Sequence, residues 1–568
     1  MLHYQIEFDD YRQHLIHVTI RFLANPTQVL SLPTWIPGSY LIREFSKHIE
    51  SVKAYDEDGR VLEISKFEKN KWRLFNTDHE LITVEYDVYA YDLSVRGAYV
   101  DQTRLYVNPA CTCLGLDDQE DKAIEVEIFL PTELKHFQLA TGLENKSLVK
   151  GRHTLKAKNY AALIDAPFEL AKQTRFSFNA AEIPHEFVIS GKHAMNATRM
   201  QQDIEKICST EIEMFGSAPF QNYTFMTMAT GNSYGGLEHP NSTSLIIPRD
   251  DLPKADEPVE PSKDYQRFLG LCSHEYFHSW LVKFIRPENF VNYDLNKEGY
   301  TSLLWIFEGF TSYYDDLILL RSGVIHQESY LTLLKLQIDR YLQNPGHAIQ
   351  TVAESSFDAW VKFYRQDENS NNAETSYYNK GCLVALCLDL GLRLRGSSLD
   401  ALMRKLYENA QNGIQVNERT IFELCKQLTG QDWAEQINHL INTTDELPLE
   451  QLMPEFGLSF ELKNEQNLAF GLKFADKAEG VLVQTVRRHG AAAEAGLAAG
   501  DIIIAIDGLK ASEKLLTKYA KQNKMYCVYA FRRDELMQFE IQGSQIELST
   551  VELKVIDQSK LDQWLKTK

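Results

Sequence analysis

The chain has 568 residues, 44% hydrophobic and 24% charged, a composition that folds and that excludes extended disorder. Its length calls for roughly three or four domains at about 150 residues each. A formal net charge of -20 and a pI near 5.3 work against nucleic-acid binding, because phosphate backbones are gripped by clustered Lys and Arg.

The N-terminal MLHYQIEFDDYRQ lacks the basic start and apolar stretch of a secretory signal and reads directly as an alternating strand. No apolar run reaches the roughly 20 residues of a membrane span; the best, LVALCLDLGLRL, is broken by Asp389 and Arg393. Eight cysteines are scattered, with only Cys111 and Cys113 close together, a pattern of reduced thiols. The expected compartment is the cytoplasm, with no nucleic-acid or membrane partner.

From residue 1 to about 170 the segments LHYQIEF, LIHVTIRF, LITVEYDVYAY and IEVEIFL alternate with period two, which predicts an all-β sandwich. Strands HEFVISG, YTFMTMA and TSLIIP follow, interrupted by the helical NATRMQQDIEKICSTEIEMFG. The Pro-rich, charged DDLPKADEPVEPSKD is a surface loop that leads into a helix from about Tyr265. Helical patterns continue to about 445 and include LLWIFEGFTSYYDDLILLRSG and GCLVALCLDLGLRLRG. After the acidic linker TTDELPLEQLMPEFG, strands return around AAAEAGL in a small separate module. The fold class expected is multidomain α+β, divided into a β domain at 1–170, a mostly helical catalytic domain at 171–448, a β module at 449–548 and a tail at 549–568.

The helix from Tyr265 carries HEYFH. HExxH sets His274 and His278 one turn apart on one face, where a single tetrahedral ion can bridge them, with Glu275 beside the remaining position. A chance match somewhere in a chain this long has odds of roughly one in thirty. Burial argues against the competing explanation, two histidines packed in a core: YQRFLGLCSHEYFHSWLVKF is apolar nearly all round, and buried titratable groups need a shared partner. The metzincin pattern would need Gly and His where Leu281 and Phe284 stand. Glu308, a lone carboxylate in the apolar LLWIFEGF, is the candidate third ligand; if it faces outward, Asp315 or Asp316 takes its place. Two His and one Glu with an open fourth position is a catalytic zinc arrangement, one ion per chain.

Taken together, HEYFH, WIFEGFTSYY, GGLEHP, YYNKG and WIPGSYLIREF resemble the glycyl aminopeptidase family, thermolysin-like zinc peptidases with a C-terminal PDZ domain, related to the aminopeptidase N group. The resemblance implies a thermolysin-like catalytic domain and removal of small N-terminal residues such as Gly or Ala. It implies that Glu238 of GGLEH binds the substrate's α-amine, although His239 replaces the asparagine of the relatives. Gly235 and Gly236 beside it let an extended peptide approach. It further implies that Tyr378 of YNKG donates to the oxyanion, with Tyr377 as its alternate, and that Glu275 is the general base. GLKF and AAAEAGLAAGDIIIAIDG resemble a PDZ domain, which takes a partner's C-terminus; Lys473 stands where the carboxylate-binding loop usually has glycine. The alternatives are an endopeptidase with the same zinc chemistry and a PDZ-mediated scaffold with weak activity.

Overall fold

Period-two burial in the N-terminal segment is realised as sheet. Strands β1 (Leu2–Glu7), β2 (Leu15–Leu23), β3 (Leu81–Tyr89) and β4 (Ile124–Phe129) belong to one eight-stranded sheet. Register pairs Tyr4 with Ile20 and with Val126, so all three point into the same buried layer. Each such side chain contributes roughly 1.5–3 kcal/mol by leaving water. Two four-stranded sheets complete this β-rich part. The coordinates are a computed structural model that describes residues 2–75 and 80–566; residues 1 and 76–79 of the expected β domain and 567–568 of the expected tail lie outside the described residues.

Cys111 and Cys113 are core groups. Burial pushes the Cys113 thiol up to about 12, and Cys111 Sγ donates to the Arg96 carbonyl at 3.1 Å. Burial in this way favours the protonated thiol form of both.

By its internal contacts the chain forms two units: residues 1–299 with 314–326 and 403–417, and residues 300–313 with 327–402 and 418–568. In the first unit, a five-stranded sheet follows the β-rich part. Its strands are β5 (Thr174–Ala180), β6 (Ile183–Ser190), β7 (Tyr223–Thr230), β8 (Gly235–His239) and β9 (Ser242–Pro248), in the order β5-β6-β7-β9-β8. That order leaves β8 at an edge, paired among the described residues only with β9. Helix α1 (Ala197–Phe215) starts at Asn196, whose side chain accepts from the Arg199 amide, and ends at Gly216 with φ 83°. Helix α2 (Lys263–Phe277) carries the HEYFH segment.

Beneath α2 lies an aromatic cluster of Tyr223, Phe225, Tyr276 and Trp280. His185 reaches into it: its Nδ1 donates to the Ile183 carbonyl at 2.8 Å, which leaves Nε2 to accept from Tyr276 Oη at 2.8 Å. Burial pulls this imidazole down to about 4, so it is neutral.

The second unit is helical and then β. It contains α3 (Leu304–Phe307), the first turn of α4 (Gly309–Arg321), α5 (Gln327–Gln343) and α6 (Asn379–Arg393). Apolar on all sides, α6 is buried from Asn379 to Leu392. Its one acid, Asp389, accepts from Tyr313 Oη, Arg393 Nε and the Leu399 amide. The C-terminal module has a long hairpin-like pair, β10 (Leu458–Ala469) with β16 (Gln545–Val555), and a sheet of β11 (Leu472–Lys477), β12 (Gly480–Val486), β13 (Ile502–Ile506), β14 (Met525–Arg532) and β15 (Glu535–Gln542). Helix α7 (Glu513–Ala520) packs on it, and α8 (Gln558–Leu565) buries Trp564, which donates to Tyr313 Oη at 3.0 Å. Among the described residues no helix is long and apolar enough to cross a membrane.

Candidate active site

The i, i+4 spacing on α2 brings the two imidazoles together with ring centroids 4.7 Å apart and planes at 89°. Each uses Nδ1 away from the other. His278 Nδ1 donates to the Leu281 carbonyl at 2.9 Å, and His274 Nδ1 bonds Asp315 Oδ2 at 3.2 Å. The two Nε2 atoms therefore converge, 3.1 Å apart. Two imidazoles fixed by their Nδ1 atoms, with lone pairs aimed at one point, are a donor set that a divalent cation fits.

Asp315, which the sequence offered as an alternative third ligand, instead lies behind His274 as its orienting carboxylate, a role that the acidic pair on a helical pattern did not announce. The turn after α2 is tight. Val282 has φ 92°, its amide donates to the Ile285 carbonyl, and the Lys283 amide donates to the His278 carbonyl.

Edge strand β8 runs past this pair. Alternation along the strand puts Gly236 and Glu238 on one face and Leu237 and His239 on the other. A Cβ on Gly236 would lie 2.1 Å from Glu275 Oε1 and 2.6 Å from its Cγ, so the missing side chain is the space that the Glu275 carboxylate occupies. Gly235 has nothing nearer than 4.0 Å at that position and leaves the strand open to an approaching backbone. Glu275 and Glu238 are buried, at 5% and 4% exposure.

On the opposite face, His239 Nδ1 bonds Asp165 Oδ1 at 2.9 Å, and Asp165 also accepts from Lys283 Nζ at 3.0 and 3.2 Å. Burial pulls His239 down, so it is neutral and donates to the carboxylate. Burial works to raise Asp165, but Lys283 and the His239 bond outweigh it and hold the carboxyl below its usual range. The histidine that replaces asparagine in GGLEH is thus a strut that ties β8 to the segment after α2. Nothing in the local sequence announced Asp165 or Lys283 as its partners.

In the second unit, Glu308 is buried at the end of α3, immediately before Gly309. A Cβ on Gly309 would lie 2.5 Å from the Gly381 carbonyl carbon, and one on Gly381 would lie 2.9 Å from Gly309 Cα and 3.0 Å from the Trp305 carbonyl oxygen. The glycines of EGF and YNKG are therefore the point where two backbones touch, and they set Glu308 and Tyr378 at a fixed distance. Tyr378 caps α6 and is half-buried, while Tyr377 is fully buried. Phe363 stacks on Tyr378 at 5.3 Å and lies 4.7 Å from Tyr377.

Three family profiles match the chain: Peptidase M61 N-terminal domain over residues 3–172, M61 glycyl aminopeptidase over 267–384 and PDZ domain over 457–524. The crystal structure of an aminopeptidase N family protein from Idiomarina loihiensis is 40% identical, covers all of both chains and superposes with a TM-score of 0.95. The chain belongs to the M61 glycyl aminopeptidase family. As a member it is an enzyme, a metallo-aminopeptidase, with the β-rich, helical and PDZ parts that the sequence led us to expect. The structure of Legionella pneumophila aminopeptidase A in complex with aspartic acid shares the fold at 11% identity and a TM-score of 0.51, over 97% of this chain and 57% of that one. No match was found among curated proteins.

Proposed function

We propose that this M61 peptidase is a zinc-dependent aminopeptidase that removes N-terminal residues, small ones such as Gly or Ala above all. His274, His278 and Glu308 would hold one zinc ion, two imidazole nitrogens and one carboxylate oxygen with a fourth position open. Bound there, zinc supplies Lewis acidity and a water whose pKa is lowered to about 7.

The protein groups do the remaining work. Glu275 takes the proton of the attacking water as oxygen bonds to the scissile carbonyl carbon, then delivers it to the leaving nitrogen as the C–N bond breaks. Tyr378, the more accessible of the tyrosine pair, donates its phenolic hydrogen to the carbonyl oxygen as charge develops there. The free edge of β8 hydrogen-bonds an extended substrate, with Gly235 and Gly236 sparing it a side-chain obstacle.

One observation favours exopeptidase over endopeptidase action. Glu238 is buried, and its Oε1 has no hydrogen-bond partner among the described residues. Burying a carboxylate is costly, and a substrate's α-ammonium beside it would offset that cost. Alanine p-nitroanilide should therefore be cleaved at least about 100-fold faster than its N-acetyl form, since a lost buried ion pair is worth several kcal/mol. Equal rates would reject the aminopeptidase reading in favour of an endopeptidase.

The PDZ domain would take a peptide C-terminus on β11, an edge strand beside α7. At its far end that groove is closed by two reciprocal bonds, the Asp476 amide to Glu513 Oε1 and the Glu513 amide to Asp476 Oδ1, each 3.0 Å. The reducing cytoplasm suits the chain, since all eight cysteines are free.

A further inference from the structure

The WIPGSY motif has no part in the chemistry described so far, yet its glycine touches the site. Gly38 adopts φ 89°, and a Cβ built on it would lie 2.1 Å from Glu238 Oε1, 2.6 Å from Cδ and 2.7 Å from Oε2. The Glu238 carboxylate occupies the volume that any side chain at position 38 would need. It reaches there from the same face of β8 as Gly236, whose own missing side chain is filled by Glu275. Two glycines from distant parts of the chain thus make room for the two carboxylates.

The turn bearing Gly38 is held from several sides. Arg43 Nη2 and Arg96 Nε both donate to Ser39 Oγ, at 2.5 and 3.1 Å. Thr34 donates its amide and its hydroxyl to the Leu295 carbonyl, both at 2.9 Å. Trp35 Nε1 donates to the carbonyls of Asp294 and Lys297. The long loop between His278 and Glu308 therefore serves as the clamp that seats this turn.

We infer that Gly38 is a positioning residue for the α-amine subsite: the clamped turn of the N-terminal β domain is its second wall, and the bare Cα of Gly38 sets where the Glu238 carboxylate rests. The ligand class is the free α-ammonium of a peptide. The inference rests on the reading of Glu238 as amine anchor, and its cost is functional in kind. Glu238's carboxylate is the end of a flexible side chain, so a methyl at position 38 displaces it at little expense to folding while moving the group that would pair with the substrate's ammonium.

The experiment compares Gly38→Ala with Gly59→Ala, a control at φ 80° with nothing among the described residues within 4 Å of its Cβ, which reports backbone strain alone. Gly38→Ala should raise KM for alanine p-nitroanilide about tenfold or more with a smaller change in kcat, while its melting temperature falls no further than that of the control. Shortening the acid in Gly38→Ala/Glu238→Asp should recover part of that KM, although Glu238→Asp alone weakens binding. Should Gly38→Ala fail to fold, Gly38→Asn, which tolerates positive φ, takes its place. A KM within about twofold of the control, or no recovery in the double variant, overturns the inference. Glu238→Gln separates the two ideas. Unchanged KM in that variant would remove the amine anchor itself, whereas a raised KM beside a silent Gly38→Ala would remove only the role of Gly38.

Discussion

The two units hold their candidate site residues by opposite devices. On α2 the imidazoles are aimed by side-chain hydrogen bonds, His274 through Asp315 and His278 through the Leu281 carbonyl. In the helical unit, Glu308 and Tyr378 are set by backbone contact between Gly309 and Gly381. A hydrogen-bonded aim can be loosened without disturbing the fold, because only one polar contact is lost. A glycine crossing has no such slack, since an added methyl forces two helices apart.

The largest effect should follow from Glu275→Gln, which keeps the shape of the side chain in the space beside Gly236 but cannot accept a proton. Activity should fall by about 10²–10⁴-fold while zinc content by metal analysis stays near one per chain. Near-native hydrolysis by the metal-loaded variant would refute Glu275 as base.

The contrast between the devices is sharpened by Gly381→Ala and Asp315→Asn measured side by side. Gly381→Ala should lose about 1–3 kcal/mol of stability in denaturant melts and lower kcat by about 10- to 100-fold, because the backbone that carries Tyr378 must shift from Trp305 and Gly309. Asp315→Asn should melt close to the parent yet bind zinc about 10- to 100-fold more weakly in competition with a chelator. If both variants lose stability alike, the distinction between aimed and packed ligands does not hold.

What was legible beforehand follows the same division. HExxH, the period-two strands and the PDZ run are local patterns, and a helix or strand geometry converts them directly into neighbours in space. The partners of those residues were not legible. Asp315 lies 41 residues from His274, Asp165 lies 74 from His239, and Gly38 meets a carboxylate 200 positions away. No periodicity encodes such separations, because they are set by how sheets and helices pack. The glycines of WIPGSY, GGLEH, EGF and YNKG were visible as letters, but only the packed backbone tells which of them face a carboxylate and which face another glycine.

The smallest effect is a pH dependence of stability that leaves catalysis at neutral pH alone, and it probes the floor beneath α2. His185 is held down to about 4 by burial, against an ordinary value of 6.5, while it accepts from Tyr276 Oη. Above 6.5 neither the folded nor the unfolded chain protonates this ring, and the full stability is present. As pH falls from 6.5 toward 4 the unfolded chain takes up a proton that the folded one refuses, so stability drops, by about 2 kcal/mol at pH 5. His185→Gln should be less stable than the parent at pH 7.5, having lost a fitted buried hydrogen bond, but should lose less on going to pH 5 in matched urea melts. Parallel losses in the two proteins would mean that the acid sensitivity of this unit lies elsewhere, and that α2 rests on its aromatic packing without help from the neutral imidazole.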